Sequence, residues 1–388
     1  MGKVQIYVMA HKKFDEPDNA IYVPMQVGSA LHDELGYLRD DVDDNISVKN
    51  PFYNELTGLY WMWKNDLKND VIGLCHYRRY FLNKNGELLS EGEINNILKS
   101  YDIIVSTKLH SSEKNIYDSY VEKHKEQDLV LTRKAIEKKS PEFLDYYDAV
   151  MNDHEMYFGN LIIAGSRIVK EYAEWLFGIL GDVEANMDLS GYNEYDCRVY
   201  GFIAERLLMV WIRKKQLRVY ENEVGLVGEK SESKEIVERV SVLLKNNCDE
   251  EAYAALVHAN ETRPDLFFKD SDIKGQLAKL YRIMEISQLE KKNNRNNILD
   301  ISRDINELIR HYDLICTNLD RLSLNGDFFN YILEKQVSIE TILIIMGTIE
   351  FSKEEKIKIF NFFANSYLDV KNIDAARMYL TFALQQGN

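Results

Sequence analysis

The stretch Val71–Phe81, VIGLCHYRRYF, constrains the fold more than any other part of the chain. An apolar run, VIGLC, changes abruptly into His76, Tyr77, Arg78 and Arg79. This pattern is typical of a central strand in an open α/β sheet, because such sheets bind ligands at the carboxyl ends of their strands. Two arginines and a histidine there suit an anionic ligand, since guanidinium groups bind phosphate or carboxylate through paired donors. The alternative is a strand followed by a solvated basic turn.

A second predicted strand also ends in cationic residues. Val4–Met9, VQIYVM, is rich in β-branched and aromatic side chains and leads to His11 and Lys12. If the two strands are neighbours in a parallel sheet, their cationic ends meet at the same edge. The alternative is an ordinary charged strand end.

Predicted strands and helices alternate from residue 4 to about residue 220. A helix is expected to begin at Asn50 and Pro51, which are typical N-cap and first-turn residues, and to lead into the central strand. Further strands are predicted at 98–106 and 156–166, an irregular segment at 120–128, and a helix from 194 to 215. This alternation indicates an α/β fold with a mostly parallel sheet.

The character of the sequence changes after the segment SESKE, residues 231–235. The remainder is charged, rich in Leu, Ile, Lys and Asn, and helical in pattern. We therefore expect two domains, an α/β domain at 1–228 and a helical accessory domain at 235–388, which should supply no donor ligands. Residues 363–383 have the spacing of one tetratricopeptide-type helix pair, although any helical bundle can show this spacing.

Composition excludes several classes of protein. The net charge of −15 argues against a general nucleic-acid binder, which would need a basic surface. Four scattered cysteines fit reduced thiols. The first residues contain too short an apolar run for a signal peptide, and no run is long enough to span a bilayer. A cytoplasmic protein is expected.

An acidic loop precedes the first helix. Asp41 and Asp43 match the Asp-x-Asp pattern with which many sugar-nucleotide transferases hold a divalent metal. In such enzymes the pair follows an apolar strand, whereas LRDD precedes it here, so metal ligation is the less favoured interpretation. Contact with a nucleoside through Asp44 or Asn45, with Lys49 nearby, is favoured over it. A solvated acidic turn is the third interpretation.

The predicted helix 194–215 contains a candidate acid. Glu194, Arg198 and Glu205 share one helical face, and Gly201 between them would leave a gap for a substrate. Glu205 lies in a strongly apolar stretch, where a carboxylate must be paired or functional because its burial alone is costly. Asp196 is the rival acid, and a surface salt-bridge row is the alternative.

Four segments together resemble a known family. They are DDVDDNISVKNPFYNELTGLYWMWKN, VIGLCHYRRYF, YFGNLIIA and RVYGFIAERLL. They resemble a bacterial capsular and exopolysaccharide biosynthesis family, formerly catalogued as a domain of unknown function, that includes galactofuranosyltransferases. The resemblance covers roughly residues 4–220. It departs at Val42 or Asp43, where a glycine is expected, and at Asn54, where the family often has cysteine.

The resemblance implies an inverting glycosyltransferase. Its fold would be GT-A-like, with a Rossmann-type, mostly parallel sheet followed here by the all-helical domain. The donor would be a UDP-sugar, with galactose or galactofuranose favoured, and the acceptor a lipid-linked or other glycan in capsular or exopolysaccharide biosynthesis. A different class of function is the alternative, namely a non-catalytic glycan- or protein-binding module on the same fold.

The site residues that follow from this interpretation form three groups. Donor binding is assigned to His11, Lys12, Asp44, Asn45, Lys49, His76, Tyr77, Arg78 and Arg79. Catalysis is assigned to Glu205 as general base, ahead of Asp196 and His124, because the acceptor oxygen must lose its proton as it attacks. The acceptor side is assigned to Asn160, Arg198 and Arg206.

Cofactors and partners complete the expectation. His76, Tyr77 and Arg78 occupy the place where the family fold would put an acidic pair, so no metal is required. A divalent metal on Asp41 and Asp43 stays the alternative. The helical tail could mediate oligomers. The basic segment 211–218 could contact a membrane surface, but a solvated helix end is the favoured interpretation.

Overall fold

The computed structural model describes residues 2–66, 68–228, 230–269 and 271–387. The chain divides into two compact units, one ending at Val227 and one beginning at Gly228. The first unit contains every strand of the described residues, and the second is helical.

The strands of the first unit are short and mostly buried. Their bounds are β1 (Val4–Ala10), β2 (Tyr22–Gln26), β3 (Leu38–Arg39), β4 (Val71–His76), β5 (Arg79–Phe81), β6 (Ile103–Ser106), β7 (Leu109–His110), β8 (Glu155–Met156), β9 (Ile162–Gly165), β10 (Val219–Asn222) and β11 (Val224–Leu226). Nine of them form one sheet, with the order β10-β6-β9-β4-β1-β2-β3 and with β5 and β11 extending from β4. β7 and β8 form a separate pair.

The central sheet is mostly parallel. β1 is parallel to both β2 and β4, and Met9 lies opposite His76 in the register of β1 and β4. β9 is antiparallel to β4 and to β6. The residues that precede β9 therefore lie at the same edge as the carboxyl ends of β1, β4 and β6. The candidate site lies at this edge, which we call the carboxyl edge.

Helices cover the sheet on both faces. Those of the first unit are α1 (Asn50–Tyr53), α2 (Leu56–Asn65), α3 (Glu91–Ile97), α4 (Ile116–Val121), α5 (Glu126–Lys139), α6 (Leu144–Met151), α7 (Ser166–Asn186) and α8 (Val199–Lys215). Side chains of β4 alternate between two cores: Ile72 and Leu74 join the core that contains α2, α7 and α8, whereas Val71 and Cys75 join the opposite one. This alternation explains why β4 reads as a continuous apolar run.

The second unit is built from helices around its own apolar core. They are α9 (Ser231–Lys245), α10 (Asp249–Thr262), α11 (Gln276–Lys292), α12 (Ile305–Asp320), α13 (Gly326–Glu334), α14 (Ile339–Met346), α15 (Lys353–Asp369) and α16 (Ile373–Gly387). α15 and α16 form a hairpin in which the rings of Phe363 and Tyr379 stack at 4.9 Å.

The predicted fold class is confirmed: a mixed α/β unit with a mostly parallel central sheet is followed by helices. Three local predictions were wrong. The segment 120–128, predicted irregular, includes parts of α4 and α5, because the buried Tyr120 hydroxyl donates to Asp128 and joins the two helices. The strand predicted at 156–166 is confined to β9, since Gly159 and Asn160 both adopt positive φ in a turn before it. The last helix begins at Val199 instead of Glu194.

No helix within the described ranges is long and apolar enough to cross a membrane.

Candidate active site at the carboxyl edge of the sheet

The ends of β1 and β4 bring the predicted cationic residues together. The ring of Tyr77 lies 5.4 Å from the ring of His11 in an edge-on arrangement and 5.7 Å from Lys12 Nζ. The Tyr77 backbone N–H donates to the carbonyl of Met9 at 3.0 Å, which fixes the turn after β4 against the end of β1. Arg78 and Arg79 continue this turn into β5. The carboxyl edge therefore carries a compact group of positive charge in an acidic protein.

The turn before β9, residues 158–160, meets this group. His76 Nε2 lies 2.8 Å from the carbonyl oxygen of Gly159, and because a carbonyl only accepts, Nε2 carries the proton. The Arg79 guanidinium lies 5.1 Å above the ring of Phe158. Gly159 has a φ of 84°, and a β-carbon built on it would lie only 2.7 Å from Leu161 Cδ1. Only glycine fits this position without strain.

Glu205 on α8 is hydrogen-bonded to the backbone of the same turn. Its Oε1 accepts from the Gly159 N–H at 3.0 Å, and its Oε2 accepts from Arg206 Nη1 at 2.9 Å. The residue is 8% exposed, and burial raises the pKa of its carboxyl although Arg206 acts to lower it. Arg206 also donates to the Phe202 carbonyl and lies over the ring of Tyr120. Glu205 is thus both paired and linked to the site.

A second carboxylate, Glu55, lies on the other side of the turn. Asn160 Nδ2 donates to Glu55 Oε1 at 2.6 Å and to the Gly201 carbonyl at 3.2 Å. The negative charge of Glu55 contributes to the raised pKa of Glu205, so the two carboxylates are neighbours. Glu55 was missed by the sequence analysis, although it stands inside the quoted segment DDVDDNISVKNPFYNELTGLYWMWKN. The available signal was an acidic residue within the predicted helix that leads into the central strand.

His124 and Asp196 form a separate pair. His124 Nδ1 lies 3.4 Å from Asp196 Oδ1, and the imidazole stacks on Phe202 at 4.3 Å. Burial and the charge of Arg206 lower the pKa of His124 to about 4, so its imidazole is neutral at neutral pH. The same Arg206 pairs with Glu205, so the His124–Asp196 pair and Glu205 share this neighbour.

The predicted face of Glu194, Arg198 and Glu205 does not form. Glu194 lies in a turn ahead of α8, where the Asn193 side chain accepts from the Asp196 N–H. The Arg198 guanidinium lies 5.6 Å from the ring of Tyr195. The gap predicted at Gly201 is also absent, because a β-carbon there would lie 2.8 Å from Asn54 Nδ2. Gly201 allows close packing of α8 against the segment before α2.

The acidic loop is held largely by its own hydrogen bonds. Asp40 accepts from the backbone N–H groups of Gly28 and Ser29, at 2.9 and 3.0 Å. Arg39 grips Asp41 through two hydrogen bonds, of 2.9 and 2.6 Å, and its guanidinium holds the pKa of that carboxyl below its usual range. No group of three potential metal ligands occurs among the residues that the structure describes.

The nucleoside-side candidates lie in or just after this loop. Asn45 Nδ2 donates to the carbonyls of Asp41 and Asp43, and Asp44 Oδ1 accepts from the Tyr60 hydroxyl at 3.1 Å. Lys49 forms an ion pair with Glu184 at 2.7 Å. Asp44 and Asn45 follow β3, two strands from β1, whereas Lys49 is directed toward the end of α7.

The basic segment 211–218 has local partners as well. Arg213 pairs with Asp153, and Arg218 pairs with Asp102 at 2.8 Å. Lys214 lies 5.3 Å over the ring of Tyr146. Because these residues already have partners within the protein, less of their charge is available to interact with a membrane surface.

A family model described as a domain of unknown function (DUF4422) matches residues 5–216. A solved apo structure of the WbbM bifunctional glycosyltransferase is 32% identical, with a TM-score of 0.54, over 58% of this chain. The aligned part spans 46% of the WbbM chain. No curated protein matches.

Proposed function

Since the chain belongs to the DUF4422 family, which the family match over residues 5–216 shows, we propose that its first unit is a glycosyltransferase. The observation that carries the proposal is the placement of cationic residues at the carboxyl edge of a mostly parallel sheet: the ring of Tyr77 contacts His11 and Lys12, and His76, Arg78 and Arg79 flank Tyr77 in the chain. The likeness to a bifunctional glycosyltransferase at 32% identity supports it. Within the row from β10 to β3, β9 alone is antiparallel among parallel strands, which supports the GT-A-like fold implied by the sequence.

The donor is proposed to be a UDP-sugar, with galactose or galactofuranose favoured. The cationic group would bind the diphosphate, because guanidinium and imidazolium donors form charge-assisted hydrogen bonds with phosphate oxygens. During transfer, negative charge grows on the departing diphosphate, and fixed cations stabilise it as it forms. Asp44 and Asn45, which follow β3, are proposed to face the nucleoside.

The acceptor is proposed to be a glycan hydroxyl, lipid-linked or free, in capsular or exopolysaccharide synthesis. The reaction is proposed to be inverting, with attack by the acceptor oxygen on the sugar carbon as the diphosphate leaves. A base must then remove the hydroxyl proton. Glu205, Asp196 and His124 are the candidates from the sequence: Glu205 pairs with Arg206, the charge of Arg206 acts on His124, and His124 contacts Asp196.

A screen of donors tests the proposal directly. The purified chain should release UDP from UDP-galactose or UDP-galactofuranose in the presence of a galactoside acceptor such as octyl β-galactoside. UDP should also raise its thermal unfolding temperature, because a ligand that binds only the folded state stabilises it. Absence of both UDP release and stabilisation would reject the proposal and favour a non-catalytic binding module.

Metal removal gives a second expected result. Wild-type activity should persist in excess EDTA, because the Asp41 carboxylate is already held by Arg39 and the cations of β4 and β5 can balance the diphosphate. UDP release is measured with EDTA and then with added Mg²⁺ or Mn²⁺. Activity that disappears with EDTA and returns with either metal would contradict this prediction and direct attention to Asp41 and Asp43.

A further inference from the structure

The turn 158–160 is bounded by two carboxylates with different surroundings. Both oxygens of Glu205 are occupied, one by the Gly159 N–H and one by Arg206, and the residue is 8% exposed. Each carboxylate oxygen keeps a second lone pair, but the burial of the residue leaves an acceptor hydroxyl little open approach to either oxygen. Glu205 is therefore poorly placed to accept a proton from a substrate.

Glu55 is only partly buried, and its described hydrogen bond uses Oε1 alone. It directly precedes α2, whose N-terminal end favours a negative charge through the helix dipole. α2 leads back to the start of β4, so its own first residues lie at the carboxyl edge. A side chain on Gly58 would collide with Met9, which confirms that this end of α2 contacts the end of β1. Glu55 thus lies at the carboxyl edge, and its partner Asn160 follows Gly159, whose carbonyl contacts His76.

The backbone around Glu55 is constrained by its packing. Asn54 has a φ of 50° and a ψ of −127°, an unusual conformation for a residue other than glycine. Gly201 packs directly against the Asn54 side chain, and Asn160 donates to both Glu55 and the Gly201 carbonyl. Strained backbone of this kind persists where the surrounding structure holds it, and it is concentrated at functional sites.

Asn160 supplies an independent pointer to a ligand. The residue is 6% exposed, and its Oδ1 is buried with no hydrogen-bond partner among the described residues. Its Nδ2 is fully used by Glu55 and Gly201. An unpaired acceptor beside a carboxylate suits a hydroxyl group that donates to one of them and is oriented by the other.

We propose that Glu55 is the catalytic base of the transfer and that Glu205 is a positioning residue. This inference rests on the proposed glycosyltransferase activity. The acceptor O–H proton moves to the Glu55 carboxylate while the acceptor oxygen forms a bond to the anomeric carbon. The bond from that carbon to the diphosphate oxygen breaks, and its electron pair leaves with UDP. The proton on Glu55 returns to solvent before the next cycle.

The two carboxylates then have separable effects. Of the two substrates, Glu55 would contact the acceptor alone, so its loss should slow turnover without changing donor affinity. Glu205 holds the Gly159 N–H, and the Gly159 carbonyl receives the proton of His76. Loss of Glu205 should therefore disturb the donor-binding histidine and weaken UDP affinity as well as turnover.

The experiment compares Glu55→Gln, Glu205→Gln and the control Glu174→Gln, an exposed glutamate on α7. Turnover is followed as UDP release from UDP-galactose and UDP-galactofuranose with octyl β-galactoside, and UDP affinity by calorimetry. Glu55→Gln should lower kcat about 10²- to 10⁴-fold, the usual contribution of a general base, with unchanged UDP affinity. Retained UDP affinity also shows that the variant is folded. Glu55→Asp keeps the carboxylate and should recover part of the activity.

Each outcome decides the matter. Full turnover by Glu55→Gln, beside an active wild type, overturns the assignment of the base. Loss of turnover with intact UDP affinity in Glu205→Gln alone returns the base to Glu205. A wild type that releases no UDP from any donor overturns the proposed function, and the base assignment with it.

Discussion

Replacement of Arg206 by methionine is expected to lower the free energy of unfolding of the first unit by about 3–5 kcal/mol, the cost of leaving a buried charge without its partner. Arg206 and Glu205 side chains are 11% and 10% exposed, and their ion pair spans 2.9 Å. Methionine keeps much of the side-chain volume but cannot donate to Glu205. All four tryptophans of the chain lie before residue 228, so urea unfolding followed by tryptophan fluorescence reports this unit.

The loss should depend on pH in a defined direction. Burial raises the pKa of Glu205 above its usual value, so its contribution to stability is present at low pH and is lost as the pH rises through the folded-state pKa. Because Arg206 lowers that pKa, the Arg206→Met substitution should raise it further, and the stability penalty should grow as the pH rises and Glu205 must ionise without its partner. A penalty independent of pH would contradict this account.

Two further variants serve as controls. Glu205→Gln combined with Arg206→Met removes both charges and should recover part of the lost stability. Arg133→Met breaks a two-point pair with Asp148 whose side chains are 45% and 42% exposed. Exposed pairs contribute about 0–1 kcal/mol, so this variant should change little. Equal losses for Arg133→Met and Arg206→Met would show that the burial of the Arg206 pair is not what matters.

The fold and half of the candidate site could be predicted from local sequence. The apolar run of β4 is buried on both faces, which its composition alone indicates. The meeting of Tyr77 with His11 and Lys12 follows from a general rule, because parallel neighbouring strands place their carboxyl ends together. The apolar residues around Glu205 indicated a carboxylate that is paired or functional, and the structure shows it buried and paired with Arg206.

The rest of the candidate site depends on contacts between segments that are distant in the sequence. Glu205 was expected to pair with Arg198 by helical spacing, but its partners are the adjacent Arg206 and a backbone N–H 46 residues away. Glu55 meets Asn160 across 105 residues, through a turn whose positive φ angles no local pattern required. Helical periodicity predicts neither contact. The Glu205 contact is made to the backbone N–H of Gly159, and the Glu55 contact is made to Asn160 in a turn. This explains why Glu55 was missed.

Replacement of Arg78 by alanine is expected to weaken UDP binding about 10- to 100-fold, because a hydrogen bond to a charged group contributes about 1.5–3 kcal/mol. Arg78 lies in the turn between β4 and β5, beside Tyr77 and the end of β1. Its backbone carbonyl accepts from the Val227 N–H, a contact that the substitution preserves. The fold should therefore remain, which circular dichroism can verify, while calorimetry measures the affinity for UDP.

The matched control for this prediction is Lys84→Ala. Lys84 is an exposed cation in the turn after β5. The Lys84→Ala substitution therefore removes one positive charge, as Arg78→Ala does, but leaves the carboxyl edge unchanged. Arg78→Lys separates charge from geometry: it keeps the positive charge but loses the paired donors that match a phosphate, so its affinity should lie between those of wild type and Arg78→Ala. If Lys84→Ala weakens UDP binding as much as Arg78→Ala, overall charge and not a local diphosphate site controls the affinity. If Arg78→Ala binds UDP as tightly as wild type, the diphosphate must lie elsewhere along the edge, nearer to His11 and Lys12.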